Sequence, residues 1–228
     1  MIIKSQLKKK AIILGGTGFI GKTIFNNLND NINYSVKSYS SLDYDLEDCD
    51  NFVEIDVNQF RCDYLIMSAA ITRDLGDTIA GLKKNIDMTI SLSYLLKNKS
   101  IKHLIFISSV GVYGKNNLKI PLDELSSVNP NDYYSTSKMV SENILSKVCN
   151  ENAIPYTILR LPGVYGPMDT HNSPIKSFIL SVLMNKTITI FGDGEQMRDY
   201  LFVRDIGDII KNICNYNIVG TYNIVSSN

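Results

Sequence analysis

The sequence has no excess of charge of either sign, no long apolar run and few cysteines. Its 228 residues carry 23 basic and 23 acidic side chains, so neither a nucleic-acid surface nor a membrane surface is expected. The four cysteines show neither CxxC nor Cys/His spacing, which argues against a metal site and a disulfide framework. The apolar run at residues 11–14 is too short for a signal peptide or a membrane span. We therefore expect a small-molecule ligand, no metal and a cytoplasmic location.

What the chain does contain is a regular alternation of short apolar runs and longer segments of helical period. The runs predict strands at residues 10–15, 34–39, 63–69, 103–108, 156–161, 187–191 and 221–225. Helices are predicted at residues 18–29, 77–99, 131–152, 174–184 and 205–216. This alternation is typical of parallel strands joined by crossover helices, and it predicts an α/β fold with a doubly wound parallel sheet.

A glycine-rich segment lies between the first predicted strand and the first predicted helix. It reads GGTGFIG at residues 15–21 and satisfies the pattern G-x-G-x-x-G. Glycine lets the backbone turn tightly and approach an anion, and the helix N-terminus offers unpaired N–H groups to it. The segment predicts a Rossmann fold that binds the pyrophosphate of NAD or NADP; the alternative is a glycine-rich turn without a ligand.

Tyr134 and Lys138 form the first candidate for chemistry. They lie four residues apart, which places them on one face of a helix. An ammonium group near a phenol favours the phenolate, so the pair predicts a tyrosine with a lowered pKa that acts as general base or acid. The predicted strand 103–108 runs into Ser108 and Ser109 at the sheet edge where ligands bind, so a serine hydroxyl could join the pair. A solvated helix face and turn-capping serines are the alternatives.

Further motifs follow along the chain, and together they resemble the extended short-chain dehydrogenase/reductase superfamily, within it the NAD-dependent epimerase/dehydratase family of nucleotide-sugar enzymes. The resemblance runs nearly end to end. It rests on Gly15, Gly18 and Gly21, on Ser68-Ala69-Ala70, on Asn85, on Ser109 before VYG at 112–114, on Tyr134 and Lys138, on LRLPGVYGP at 159–167 and on FGDGEQMRDY at 191–200.

The resemblance implies a role for each of these residues. Tyr134 would be the acid/base acting on a sugar hydroxyl or ketone, Ser109 would bond the same oxygen, and Lys138 would bind the nicotinamide ribose and lower the tyrosine pKa. Substrate-binding residues would be Ser109, Tyr134, Gly163 and Arg198, with the arginine on the nucleotide diphosphate. Cofactor-binding residues would be Gly15, Thr17, Gly18, Phe19, Ile20, Gly21, Ser40, Asp45, Leu46, Ser68, Ala69, Ala70, Asn85, Tyr134, Lys138, Pro162 and Val164.

The region after the second strand leaves the choice of cofactor open. NAD-preferring enzymes usually carry an acidic residue there for the ribose 2′-hydroxyl, but this chain reads KSYSS at residues 37–41. The serines and Lys37 favour NADP slightly, whereas Asp43 could reach back to a 2′-hydroxyl. For the acid that contacts adenine, spacing favours Asp45 over Asp56, because Asp45 leaves room for a helix before the next strand.

Two departures from the family limit what can be said of the substrate. Dehydratases of this family carry an Asp-Glu pair after the active-site hydroxyl, and Val110-Gly111 stands here, which argues against a dehydratase. Relatives usually continue beyond the strand 221–225, so the chain is either a naturally short member or an incomplete piece. We expect a dinucleotide-binding domain at 1–160 and, at 161–228, a small, incomplete substrate-binding part with elements that return to the sheet.

These observations predict an NAD(P)-dependent nucleotide-sugar epimerase that acts at C4 through a transient 4-keto intermediate. The first alternative is an NADPH-dependent 4-ketoreductase, and the second is a dinucleotide-binding sensor without catalysis. The resemblance also implies a homodimer through the helices 77–99 and 131–152. Ile86, Ile90, Leu92 and Leu95 could serve such an interface or could equally be core.

Overall fold

A parallel β-sheet organises the chain. The computed structural model describes residues 7–49, 56–97, 100–114, 121–170, 173–190, 192–195 and 197–226. The strands are β1 (Lys9–Leu14), β2 (Tyr34–Tyr39), β3 (Tyr64–Met67), β4 (Leu104–Ser109), β5 (Tyr156–Leu161), β6 (Gly163–Tyr165), β7 (Tyr200–Phe202) and β8 (Gly220–Asn223). The helices are α1 (Phe19–Asn29), α2 (Ile79–Lys97), α3 (Tyr133–Glu151), α4 (Pro174–Leu183) and α5 (Val203–Tyr216).

The strand order of the large sheet is β2-β1-β3-β4-β5-β8, and every pair is parallel. The chain moves outward from β1 to β2 and then returns to place β3 on the other side of β1. This reversal is the switch point at which doubly wound sheets bind ligands, beyond the carboxyl ends of the strands. The α/β class and the Rossmann-type sheet predicted from the sequence are thus confirmed.

Two hydrophobic layers cover the two faces of this sheet. Strand residues alternate between them, so Ile12 and Leu14 of β1 join one layer and Ala11 and Ile13 the other. The first layer contains α2 and α3, and the second contains α1 and α5. Helix α5 and strand β8 come from the last quarter of the chain; β8 pairs with β5 at the edge of the sheet, and α5 packs on its second face.

The candidate dimer positions on α2 divide between core and surface. Leu92 and Leu95 have no exposed side-chain surface and belong to the first hydrophobic layer. Ile86 and Ile90 are only partly buried. Of the apolar positions considered for an interface, the two leucines are therefore core.

The structure corrects the sequence prediction at several places. The predicted strand 187–191 is wrong for residues 187–190, which form no strand and leave Ile188 and Ile190 exposed; residue 191 lies outside the described residues. A two-stranded parallel sheet of β6 and β7 was not predicted. Between β2 and β3 the described residues contain only a 3₁₀ turn, Val57–Phe60, and residues 50–55 of the expected helix region lie outside them.

Two further observations concern the chain as a whole. Among the described residues no helix is long and apolar enough to cross a membrane. All four cysteines, Cys49, Cys62, Cys149 and Cys214, carry free thiols.

Candidate active site

The glycine loop follows β1 and leads into α1 at the switch point. Gly15 has a φ of 85°, and a Cβ there would lie 2.6 Å from the backbone nitrogen of Ala69, so only glycine fits. At Gly21 a Cβ would lie 2.2 Å from the carbonyl oxygen of Gly15, so this glycine lets α1 pack against the loop. No side chain caps the helix N-terminus at Gly18. The loop therefore brings close backbone to a helix N-terminus that no side chain caps, which is the cradle a pyrophosphate requires.

A pocket of about 360 Å³ opens beside this loop. One wall is the loop itself, and the opposite wall is formed by the chain after β2, including Tyr44 and Asp45. The predicted cofactor residues that line the pocket are Gly15, Thr17, Gly18, Phe19, Ile20, Gly21, Ser40, Asp45, Leu46, Ser68, Ala69 and Ala70. Asp45 and Leu46 lie on the wall formed by the chain after β2.

The carboxylate of Asp43 turns back onto the end of β2. Its Oδ2 accepts hydrogen bonds from the Ser40 backbone N–H and from Ser40 Oγ, both at 2.8 Å. These hydrogen bonds lower the pKa of Asp43, which keeps the carboxylate negatively charged. Neither Asp43 nor the exposed Lys37 lines the pocket itself, whereas Asp45 and Glu47 do. The charge at this end of the pocket is therefore acidic rather than basic.

Ser108 and Ser109 point to different environments at the end of β4. Ser108 is buried and donates a hydrogen bond to Glu142, which is also paired with Arg160 Nη2 at 2.7 Å. Ser109 is only partly buried, and its Oγ accepts from the Gly111 N–H at 3.0 Å. Of the two hydroxyls only that of Ser109 remains accessible to a ligand.

Helix α3 brings Tyr134 and Lys138 to the same edge of the sheet. Lys138 is buried, and its Nζ donates to the carbonyl oxygen of Ile107 in β4 at 2.7 Å. The same Nζ lies 5.8 Å from the centroid of the Tyr134 ring. Because α3 packs on β4 and on the turn after it, Ser109, Tyr134 and Lys138 come together at the carboxyl end of β4.

The predicted lowering of the tyrosine pKa is wrong for the chain by itself. Burial raises the pKa of Tyr134 to about 12, and Arg73 is the charge that opposes this rise. Burial likewise lowers the pKa of Lys138 to about 8, against the attraction of Glu142. The helical spacing predicted that the Lys138 ammonium lies next to the Tyr134 phenol. In the structure the ammonium instead donates its hydrogen bond to the carbonyl oxygen of Ile107.

Sequence reasoning missed Arg73, which contacts the start of α3. Its Nη2 donates to Ser135 Oγ at 2.6 Å, its Nε pairs with Asp132 Oδ2 at 3.2 Å, and its Cζ lies 5.1 Å from the Tyr134 ring centroid. No local pattern could have indicated this contact, because Arg73 and Ser135 are 62 residues apart. Arg73 begins the 3₁₀ turn Arg73–Leu75. Leu75 of this turn and Thr72 directly before it both line the cofactor pocket.

The remaining predicted residues lie outside the pocket lining. Asn85 is buried and holds the loop after β3: its amide accepts from the Ile71 N–H at 2.8 Å and donates to Ser137 Oγ at 3.0 Å. Gly163 and Val164 belong to β6, directly after Pro162. Arg198 is exposed, and residues 191 and 196 of its motif lie outside the described residues.

The fold, the glycine cradle and the hydroxyl-bearing residues at the carboxyl edge define a dinucleotide-binding enzyme of the Rossmann type. The model of the NAD dependent epimerase/dehydratase family matches residues 11–224, and the chain belongs to this family. It is thus an NAD-dependent enzyme of the extended short-chain dehydrogenase/reductase superfamily, in the class of nucleotide-sugar epimerases and dehydratases.

Individual relatives agree with this assignment. A putative UDP-glucose 4-epimerase of Methanocaldococcus jannaschii is 30% identical over 86% of this chain and 70% of its own length. A dTDP-glucose 4,6-dehydratase of Neisseria gonorrhoeae is 28% identical over 99% of this chain and 75% of its own. Among solved structures, a UDP-N-acetylglucosamine 4-epimerase of Methanobrevibacter ruminantium, in complex with UDP-N-acetylmuramic acid, has a TM-score of 0.82 at 28% identity, covering 96% of this chain and 77% of that one.

Proposed function

We propose that this chain is a nucleotide-sugar 4-epimerase that uses NAD and acts through a transient 4-keto sugar. The observation that carries the proposal is the meeting of Ser109, Tyr134 and Lys138 at the carboxyl end of β4, on the sheet edge that also holds the glycine cradle. The relatives include both epimerases and dehydratases. Val110-Gly111 favours the epimerase, because this chain carries no acid–base pair after Ser109 to drive an elimination.

The cradle supports NAD as the cofactor. The close approach allowed at Gly15 and Gly21 fits a pyrophosphate, and the pocket extends along the residues after β2 towards the space for an adenosine. The Asp43 carboxylate at Ser40 would accept a bond from a ribose 2′-hydroxyl and repel a 2′-phosphate, which favours NAD over NADP. When bound, NAD supplies the hydride acceptor and donor for the sugar carbon.

The chain's own residues would move the proton. Tyr134 Oη would take the proton of the C4 hydroxyl as that carbon is oxidised, and would return it to the oxygen when the ketone is reduced on its other face. Ser109 Oγ would hold the same oxygen by a hydrogen bond. Lys138 retains two N–H donors beyond its bond to Ile107 and would use them on the nicotinamide ribose.

The raised pKa of Tyr134 sets a requirement for this mechanism. A phenol with a pKa of about 12 is protonated at neutral pH, so positive charge must come close before it can act as a base. Arg73 already opposes the rise, so the further positive charge would come from the ammonium of Lys138 and from the nicotinamide ring of bound NAD. Tyr134 would therefore act as a base only in the NAD-loaded protein.

Substrate binding and assembly complete the proposal. The exposed residue Arg198 would bind the nucleotide diphosphate, and Gly163 would lie beside the sugar. Of the remaining predicted cofactor residues, Pro162 and Val164 would act at the nicotinamide end, and Asn85 would act by holding the loop after β3. The partly exposed Ile86 and Ile90 of α2 would contribute to a homodimer, and the free thiols fit a cytoplasmic setting.

The test of the mechanism is the pair of variants Tyr134→Phe and Tyr133→Phe. We expect Tyr134→Phe to lower turnover by about 10²–10⁴-fold while NAD binding is kept, because only the transferable proton is removed. Tyr133, the preceding residue, is 41% exposed and serves as the matched control, whose loss of a hydroxyl should leave turnover unchanged. Equal turnover in wild type and Tyr134→Phe would refute the mechanism, and net consumption of NADH would indicate a reductase.

A further inference from the structure

Arg73 bridges the loop after β3 and the first turn of α3. A single guanidinium pairs with Asp132, the residue that caps α3, donates to Ser135 and covers the Tyr134 ring between them. Asp132 is itself fixed, because its Oδ1 accepts from the Ser135 N–H at 2.7 Å. The guanidinium is thus held at Nη2 and at Nε, with its Cζ over the Tyr134 ring.

Gly111 provides the space for this arrangement. A Cβ on Gly111 would lie 2.4 Å from Arg73 Nη2, 2.3 Å from Ser135 Oγ and 3.2 Å from Ser109 Oγ. A side chain at position 111 and the observed position of Arg73 therefore exclude each other. Arg73 Nη2 and Ser109 Oγ both border this space, so the guanidinium lies near Ser109 as well as near the Tyr134 ring.

The charges around Tyr134 are few, and they oppose one another. Asp74 in the arginine's own turn and Asp132 at the helix cap disfavour the phenolate, whereas Arg73 favours it. Asp77 accepts a hydrogen bond from the Tyr134 backbone N–H at 3.0 Å, and Lys138 donates to Ile107 rather than to the phenol. Among these groups Arg73 is the cation that faces the ring most closely, at 5.1 Å against 5.8 Å for Lys138.

We propose that Arg73 is a positioning residue that holds the Tyr134 phenol in place and stabilises its negatively charged form. The inference rests on the proposed acid/base role of Tyr134. Asp132 anchors the guanidinium and partly neutralises it, and Gly111 keeps its place free. The consequence is that two residues outside the Ser109, Tyr134 and Lys138 set, Arg73 and Gly111, determine how readily Tyr134 gives up its proton.

The first measurement is the pH dependence of kcat/KM for Arg73→Gln, Arg73→Lys and Asp77→Ala. A positive charge 4–6 Å from an acid lowers the pKa of that acid by one unit or more. Arg73→Gln should therefore raise the pKa of Tyr134, so that the acidic limb of the pH profile moves to higher pH by about one unit. At pH values below this limb, kcat/KM of the variant should be about tenfold lower than that of wild type. Arg73→Lys should restore part of the shift. Asp77→Ala removes the other contact between this loop and α3 but takes away a negative charge rather than a cation, so the acidic limb of its pH profile should not rise.

A second measurement does not depend on turnover. In protein labelled at tyrosine ¹³Cζ, the Tyr134 signal is the one lost in Tyr134→Phe, and its titration is followed in the NAD-loaded protein from about pH 6 to 11. The proposal predicts less phenolate at each pH in Arg73→Gln than in wild type. Identical titrations of the two, or an unmoved kinetic limb, would overturn it. If wild type converts no sugar nucleotide, the proposed function fails, while the titration still decides the role of Arg73.

Discussion

At the scale of single residues, burial decides which ionisable groups carry charge. Burial raises the pKa of Tyr134 to about 12 and lowers those of Lys138 and His103 to about 8 and about 4. For Tyr134 and Lys138, neighbouring charges act on these pKa values as well: Arg73 lowers that of Tyr134, and Glu142 raises that of Lys138. His103 has a structural role: its Nε2 lies 2.8 Å from Thr157 Oγ1, which in turn donates to the carbonyl oxygen of Ile218.

His103 predicts a specific loss of stability in acid. Because its folded-state pKa is about 4 and the unfolded value is about 6.5, the unfolded chain binds the proton first, and stability falls as pH drops from about 6.5 towards 4. At pH 5 the loss should be about 2 kcal/mol relative to pH 7.5. Urea unfolding of wild type and His103→Gln at both pH values measures it. A pH-dependent loss of the same size in the variant would contradict the assignment to His103.

The sequence predicted the candidate site only in part, and the reason is local spacing. Tyr134 and Lys138 were recognisable because helical spacing puts residues four apart on one face, and the glycine loop because strand and helix flank it. Strand position alone left Ser108 and Ser109 open and the family resemblance indicated Ser109; the hydrogen bond from Ser108 to Glu142 in the fold supplies the physical reason. Arg73 was unpredictable, since its partners on α3 are distant in sequence and arginines on turns are common.

At the scale of elements, helices α1 and α5 show how closely two parts of the fold approach each other. Gly207 is buried in α5, and a Cβ there would lie 2.8 Å from the Cβ of Asn27 in α1. Asn27 Nδ2 also donates to Asp208 Oδ1 at 3.1 Å across the same contact. The glycine is therefore needed for packing, despite its cost to the helix.

Gly207→Ala tests this contact. Alanine in a helix is ordinarily more stable than glycine by about 1 kcal/mol, but here we expect the free energy of unfolding to fall by about 1–3 kcal/mol, because the helices must separate. Asn212→Ala, at an exposed position of the same helix, is the control and should be neutral or slightly stabilising. Chemical denaturation compares the two, and a gain in stability for Gly207→Ala would show that the contact is not tight.

The prediction of helices and strands succeeded where the hydrophobic pattern extends over many residues, and it failed where the element has only a few residues. The helices and the strands of the large sheet were predicted to within a few residues, and most of them bury a continuous apolar face; α4, which has no buried residue, was predicted from its helical period alone. Strands β6 and β7 have three residues each, too few for a period to appear. Residues 187–190 alternate like a strand, yet their isoleucines are exposed, so the alternation reflects composition rather than pairing.

At the scale of the whole molecule, the parallel sheet places cofactor and chemistry along one edge. The loop after β1, the chain after β2, the turn after β4 and the start of α3 all meet beyond the carboxyl ends of the strands. Strand β8 adds to the sheet formed by residues 1–160, and α5 packs on one of its faces. We propose that residues 161–228 also supply the substrate contacts, so that the boundary at residue 160 separates cofactor binding from substrate binding and not two folding units.

We propose that this chain interconverts the C4 epimers of a nucleotide sugar with no net redox change. The direct measurement is ¹H NMR of UDP-, GDP-, CDP- and dTDP-sugars incubated with the NAD-loaded wild-type protein, with NADH absorbance followed in parallel. We expect one of these sugars to reach the same epimer ratio from either side, with unchanged NADH. Firm binding of NAD with no conversion of any of these sugars would contradict it and favour a sensor.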